Sequence, residues 1–153
     1  MLKLRKNKKG FTLVELIVVI AIMAVLAGTV AGVTVSQLNK QTDNANKTQA
    51  KKVADYIASL IIEGDIYIST TGTNPGKFVL KEGDALLVVS NLTPIIAKEF
   101  PDVIKTEGKG NISLVDIAAA GTNEIQVKYT HKAGNKTTTY TIDNEGLVKV
   151  QES

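Results

Sequence analysis

The chain has 153 residues, a formal net charge of +3 and a single histidine, and it contains no cysteine. The lack of cysteine excludes disulfides and thiolate metal sites, and the length favours one globular domain. Five of the 18 basic residues lie before Gly10, where there is no acidic residue. Because 13 lysines and 15 acidic residues follow Gly10, the side chains after Gly10 have a net charge of −2. The net positive charge of the whole chain is therefore no argument for nucleic-acid binding.

An apolar segment runs from Phe11 to Val35, with Glu15 as its one charged residue. As a helix, its 25 residues would measure about 37 Å, enough to span a hydrocarbon core of about 30 Å. The lysines and the arginine that precede this segment favour a cytoplasmic N-terminus, with the bulk of the chain outside. A carboxylate in such a segment is costly, which makes Glu15 a candidate functional residue.

Three interpretations of this segment compete. A secretory signal peptide has a shorter apolar region, and the weak cleavage pattern at Thr29-Val30-Ala31 leaves Glu15 unexplained. A plain membrane anchor accounts for the length but not for Glu15. The third interpretation explains both the length and Glu15, and it depends on the residues at the boundary between the basic and the apolar stretch.

That boundary reads Lys8-Lys9-Gly10-Phe11-Thr12-Leu13-Val14-Glu15 and resembles the N-terminus of type IV pilins and pseudopilins. The resemblance implies that a membrane-embedded prepilin peptidase cuts after Gly10 and methylates the new amino terminus at Phe11. It also implies that Glu15 pairs with the Phe11 amine of an adjacent subunit during assembly. The chain without cysteine is more similar to the pilins of Gram-positive bacteria than to Gram-negative pilins, which often carry a C-terminal disulfide loop.

Within the apolar segment, Gly28 and Gly32 have the GxxxG spacing that allows close helix packing, although chance explains it equally well in a Gly- and Ala-rich stretch. The octet from Gly28 to Val35 is mostly glycine and β-branched residues, so it is the part with the lowest helix propensity. The sequence predicts that the helix opens here when subunits pack.

A polar stretch follows, and an amphipathic pattern then resumes. Apolar residues recur at helical spacing at Val53, Tyr56, Ile57, Leu60 and Ile61. Gly64 suits a helix C-cap. The pattern therefore predicts one continuous helix from Phe11 to Glu63, with one apolar face in its second half that a sheet must cover.

In the middle of the chain, the sequence predicts short strands and helices. These are a strand at Lys77–Leu80, a helix at Glu82–Val89, a helix at Leu92–Phe100 and a strand or edge segment at Ile112–Ala120. For the second of these helices, Thr93 is the expected N-cap and Pro94 the expected first residue.

Near the C-terminus the pattern changes to a period of two, which predicts a three-stranded antiparallel meander. Its strands are expected at Glu124–Thr130, Lys136–Asp143 and Leu147–Gln151, with turns at Ala133–Asn135 and Asp143–Gly146. The predicted apolar face that packs on the helix consists of Ile125, Val127, Tyr129, Tyr140, Ile142, Val148 and Val150.

The predicted fold is α+β, a pilin fold in which a long N-terminal helix packs against a small antiparallel sheet. Its predicted parts are a basic leader at 1–10, a membrane and filament-core half of the helix at 11–35, an amphipathic half at 36–63 and a globular head at 64–153.

No pattern indicates an enzyme, a cofactor or a metal. His131 is the single histidine, and at a hairpin end it is expected to be an exposed strand residue. The stretch Asp143-Asn144-Glu145-Gly146 lacks the ligand spacing of a calcium loop, so it is interpreted as a turn.

The resemblance implies a structural subunit of a type IV pilus. This subunit is expected to be anchored in the cell membrane, with its head outside, before assembly and to lie in an extracellular fibre afterwards. The expected partners are other copies of the chain, the prepilin peptidase and the inner-membrane assembly machinery, with cell adhesion as an expected role. The alternatives are a minor pilin or pseudopilin of a secretion or DNA-uptake machine, and a membrane-anchored binding module or enzyme unrelated to fibres.

Overall fold

The computed structural model describes residues 10–115, 123–132 and 135–153, without the side chain of Ala31. The chain divides into two compact units, one ending at Leu38 and the other comprising Asn39–Ser153. The elements in chain order are α1 Leu13–Ile62, β1 Ile66–Ile68, β2 Phe78–Leu80, β3 Ala85–Leu86, α2 Val89–Glu99, β4 Ile112–Leu114, β5 Glu124–Thr130, β6 Thr137–Asp143 and β7 Val148–Glu152. The first two residues of the predicted turn at Ala133–Asn135 and the end of the predicted strand at Ile112–Ala120 fall outside the described residues.

The long helix is confirmed as α1, a single run of 50 residues. Gly64 ends it with φ +80°, a backbone conformation that glycine adopts without steric cost. The Gly64 amide donates to the carbonyl of Ile61 at 3.1 Å, and the Asp65 amide donates to that of Leu60 at 2.9 Å. This pair of bonds is a Schellman motif, which satisfies two carbonyls that the last turn would otherwise leave unpaired.

Two antiparallel sheets follow α1. The first has the strand order β1-β2-β3 and the second has the order β4-β5-β6-β7. The predicted C-terminal meander is confirmed as β5-β6-β7, and β4 extends it on one side. Val127 lies opposite Tyr140, and Ile142 lies opposite Val148. The alternation in β5 and β6 therefore places their apolar side chains on one face, as the period of two predicts.

The core lies between that face and the second half of α1. The helix contributes buried side chains at helical spacing, namely Ala50, Val53, Ala54, Ile57, Ala58, Leu60 and Ile61. From the sheet come Ile125, Val127, Tyr129, Tyr140 and Ile142, all in the same cluster. The α+β prediction, with a helix packed on an antiparallel sheet, is thus confirmed.

The predicted apolar face is wrong at its last position. Val150 is 62% exposed, although it pairs with the buried Tyr140. The reason is that β7 is the outermost strand of its sheet, and its residues after Val148 are all exposed. The alternation pattern identifies which face a residue takes, but it does not show how far across the sheet the helix reaches.

The helix predicted at Glu82–Val89 is also wrong, because this stretch contains a tight turn and strand β3. Gly83 and Asp84 have φ values of +81° and +51°, which a right-handed helix does not allow. After the turn, Ala85 pairs with Leu80 and Leu86 pairs with Val79. Long-range pairing with β2 overrides the local helix propensity.

Helix α2 begins earlier than predicted, and Thr93 is not its cap. The Asn91 side chain does the capping instead, since its Oδ1 accepts from the Val88 amide at 2.9 Å and its Nδ2 donates to the Leu86 carbonyl at 2.7 Å. The Thr93 hydroxyl donates to the Val89 carbonyl at 2.7 Å. Pro94 lies inside the helix, which forfeits one backbone hydrogen bond there.

A buried carboxylate on α1 joins the helix to the β5–β6 hairpin. Asp43 is 7% exposed, and its Oδ1 accepts from the Tyr129 hydroxyl at 2.6 Å and from the Lys132 amide at 2.8 Å. We call Asp43, Tyr129, His131 and Lys132 the Asp43 cluster. Two further links join α1 to the sheet, namely the bond from Tyr140 to the Lys47 carbonyl at 3.2 Å and the Lys47–Glu152 ion pair. Asn46 also donates to the carbonyl of Gly110, in the turn before β4, at 3.3 Å.

The expectation that His131 is exposed is wrong. Its side chain is only 13% exposed, with Nδ1 3.9 Å from the Asp43 Oδ2. Its Nε2 lies 2.9 Å from the Thr138 hydroxyl, and its ring lies against that of Tyr129 with centroids 5.2 Å apart. The histidine is covered because α1 passes this end of the hairpin, a contact between residues 88 positions apart in the sequence.

We expect Asp43→Ala to destabilise the unit Asn39–Ser153 by about 3 kcal/mol, because it removes the acceptor of the buried Tyr129 hydroxyl and of the partly buried Lys132 amide. Asp55→Ala is the matched control, since Asp55 pairs with Lys51 on the exposed side of the same helix and should cost less than about 1 kcal/mol. Urea unfolding of the detergent-solubilised chain, followed by near-ultraviolet circular dichroism, measures both. Equal losses in the two variants would contradict the role of the cluster.

The phenol of Tyr129 gives a second expectation, on pH. Burial and the hydrogen bond to Asp43 raise the pKa of Tyr129 to about 12, above about 10 in an unfolded chain. The neutral phenol therefore stabilises the fold fully below pH 10, and this contribution disappears as the pH rises towards 12. The difference in free energy of unfolding between the wild type and Tyr129→Phe should shrink over that interval. A difference that does not change with pH would refute the expectation.

Candidate functional site

The predicted cleavage junction lies outside the helix. Gly10 and Phe11 are non-helical and exposed, and Phe11 is 90% exposed. Among the described residues beyond Phe11, no atom lies within 4 Å of the position that a Cβ on Gly10 would take. The subunit itself therefore has room for a larger side chain at Gly10, and a requirement for glycine would come from an enzyme that cuts there.

Thr12 and Glu15 form a capping box at the start of α1. The Glu15 Oε2 accepts from the Thr12 amide at 2.8 Å and from the Thr12 hydroxyl at 2.9 Å. In return the Glu15 amide donates to the Thr12 hydroxyl at 3.3 Å. This reciprocal arrangement pairs amides that lack a partner at a helix start, and it keeps the Gly10–Phe11 peptide bond outside the helix.

Thr12 is a residue that the sequence analysis missed. The signal was present, because Thr12-Leu13-Val14-Glu15 has the Thr-x-x-Glu spacing of a capping box directly before an apolar run. Glu15 was identified from its charge within an apolar segment and from the resemblance to pilins, and not as part of a helix cap. The structure adds a local role to it, as the acceptor that orders the first turn of the helix.

The apolar segment is exposed throughout. Every side chain that the structure describes from Phe11 to Leu38 is exposed, including large ones such as Leu16, Ile20 and Leu26. By length and composition α1 can cross a membrane. An exposed apolar surface of this extent requires lipid or protein to cover it.

The polar groups inside this segment are satisfied by its own backbone. The Thr29 hydroxyl donates to the Leu26 carbonyl at 3.0 Å, and the Thr34 hydroxyl donates to the Val30 carbonyl at 2.8 Å. Such internal bonds make hydroxyl groups tolerable in hydrocarbon. The stretch from Gly28 to Val35 is helical, and Gly28 and Gly32 leave open space beside the backbone.

A second arrangement superficially resembles a catalytic triad. His131 stands between Asp43 and Thr138, with Nε2 at 2.9 Å from the threonine hydroxyl. However, Thr138 is 0% exposed, so a substrate has no access to it. The 3.9 Å separation of His131 from Asp43 also exceeds a hydrogen bond. The arrangement has the geometry of a structural network.

The turn at Asp143–Gly146 uses its carboxylate internally. The Asp143 Oδ1 accepts from the amides of Leu147 at 2.9 Å and Glu145 at 3.1 Å. The hydrogen bond from the Leu147 amide is the main reason that the pKa of Asp143 is lowered.

Among the described residues, no group of three acidic or histidine side chains could hold a metal ion.

Comparison with known proteins identifies the N-terminal site. Residues 5–31 match the family described as the prokaryotic N-terminal methylation motif, which is 27 of the 153 residues. No curated protein and no solved structure gives a significant match. The matched family is of the structural, pilin type and is not an enzyme family. The chain therefore carries, at residues 5–31, the prokaryotic N-terminal methylation motif that is the signature of type IV prepilins.

Proposed function

We propose that the chain is the structural subunit of a type IV pilus, cut after Gly10, methylated at Phe11 and polymerised through its apolar helical segment into a surface fibre. The observation that carries this proposal is the motif at residues 5–31 together with its geometry. A non-helical Gly10–Phe11 junction precedes a capping box, and a fully exposed apolar helix follows it.

Before assembly, the segment Phe11–Val35 anchors the subunit in the cell membrane, with the unit Asn39–Ser153 outside. The basic residues before Gly10 support this orientation. During assembly, the apolar segments of neighbouring copies replace lipid around one another. Because lipid tails and apolar side chains are similar surroundings for a helix, the transfer does not require a large gain in hydrophobic burial.

The Glu15 carboxylate has enough acceptor oxygens both to cap its own helix and to pair with a second subunit. Both of its bonds to Thr12 end on Oε2, and a carboxylate has a second oxygen with its own lone pairs. We assign Oε1 to the methylated Phe11 amine of a neighbouring subunit. Where water is excluded, this attraction is stronger than at a surface. A buried charge without its partner is costly, so the pair would set the register between subunits.

We expect Gly10→Val to block processing without disturbing the fold, because the subunit has space for a larger side chain at Gly10. Mass spectrometry of the native protein should find methylated Phe11 as the first residue in the wild type and an uncut precursor in the variant. A native N-terminus near Gly32 would contradict the proposal and indicate a signal peptide. The amount of the chain in sheared fibres then separates a major subunit from a minor pilin or pseudopilin.

Two variants of Glu15 and one of Thr12 separate charge pairing from capping. Glutamine can act at the third position of a capping box, so Glu15→Gln keeps the cap and removes the charge, whereas Thr12→Ala weakens the cap and keeps the charge. We expect Glu15→Gln and Glu15→Ala to be cut normally but to form few fibres, since removing one partner of a buried ion pair leaves the other charge unpaired and costs roughly 3–5 kcal/mol. Thr12→Ala should retain more fibres than either.

The readouts are immunoblots for processing and electron microscopy of sheared fibres. Wild-type fibre amounts in Glu15→Gln would show that the charge has no role in assembly and that the carboxylate serves only the helix cap. Unchanged melting of the unit Asn39–Ser153 is the control that the variants remain folded.

A further inference from the structure

A groove of about 340 Å³ is lined by residues from the start of α2, from the segment 104–107 and from β4. Its apolar walls come from Val89, Ile104 and Leu114. Lys105 and the hydroxyl residues Thr93, Thr106 and Ser113 also line it. Cavities of this size, mostly apolar with a few polar groups, are typical of sites for small molecules.

Ser113 is the unusual residue in this groove. It is 3% exposed, and among the residues that the structure describes its hydroxyl has no hydrogen-bond partner. A buried hydroxyl without a partner is unfavourable, and such groups are rare in native proteins. Since the hydroxyl has no bond to lose, rotation about χ1 can turn it towards a molecule in the groove without an energetic penalty beyond the rotamer change.

The electrostatics of the groove favour an anion. Lys105 has no ion-pair partner among the residues that the structure describes. Among the described lining residues the one acid is Glu107, which is paired with Lys128 at 2.9 Å, so its charge is compensated. Val89 is the first residue of α2, and a helix start carries unpaired amides and a partial positive charge.

We propose that this groove binds a small organic carboxylate. Lys105 would hold the charge, Ser113 would donate a hydrogen bond, and the walls formed by Val89, Ile104 and Leu114 would contact a short apolar part of the molecule. This site belongs to the unit Asn39–Ser153 and does not depend on cleavage or on fibre formation. It gives the subunit a binding capacity separate from its assembly segment.

The test is a titration of the full chain in detergent micelles with butyrate, followed by the amide resonances of Lys105, Ser113 and Leu114. Butyramide is the matched probe, because it has the same size and lacks the charge. We expect saturable shifts with butyrate and at least about tenfold weaker binding of butyramide, as charged hydrogen bonds are the stronger ones. Absence of saturable shifts, or equal binding of the two probes, would overturn the proposal.

Variants assign the contacts. Lys105→Gln should weaken butyrate binding about tenfold, and Ser113→Ala about threefold or more. Lys109→Gln is the matched control, because Lys109 lies in the same loop but does not line the groove, and it should bind butyrate as the wild type does. Equal affinities of Lys105→Gln and Lys109→Gln for butyrate would refute the site. The amide spectrum without butyrate verifies that each variant is folded.

Discussion

The packing of the second half of α1 depends on a buried carboxylate that accepts hydrogen bonds from the β5–β6 hairpin. The fold accommodates Asp43 at a buried position because the Tyr129 hydroxyl and the Lys132 amide both donate to its carboxylate. A buried charge without such donors would strongly oppose folding. With them, it specifies one position of the hairpin along the helix, which an apolar contact alone specifies less strictly.

The two halves of α1 place their apolar side chains in different surroundings. Its residues after Asn39 bury one apolar face against a sheet, whereas the described side chains before it are exposed. Glycine and β-branched residues lower the helix propensity near Gly28, yet the helix runs through them without interruption. Threonine hydroxyls that bond back to carbonyls make that stretch compatible with an apolar environment.

At the start of α1, local chemistry and the proposed assembly use the same residues. The capping box lies at the first turn of α1, and Gly10 and Phe11 before it are non-helical and exposed, as the proposed cleavage requires. The carboxylate that completes the box is also the only charge in the apolar segment. Glu15 thereby connects helix formation in one subunit with the proposed pairing between two.

The motif, the long helix and the meander are local patterns, which is why the sequence alone determined them. The Gly-Phe junction, the spacing to Glu15 and the period of two in β5 and β6 each depend on neighbouring residues. Even Thr12 was recognisable from its spacing. The turn at Asp143–Gly146 was also correct, because its hydrogen bonds form between residues close in sequence.

Only the tertiary structure decided which residues meet across long distances in the chain. The burial of His131 requires α1 to pass beside it, and the exposure of Val150 follows from the outermost place of β7 in its sheet. Strand β3 replaced a predicted helix because pairing with β2 outweighed a weak local propensity. The partners of Asp43 were hidden for the same physical reason: hydrogen bonds between residues 86 and 89 positions apart leave no periodic pattern in the sequence.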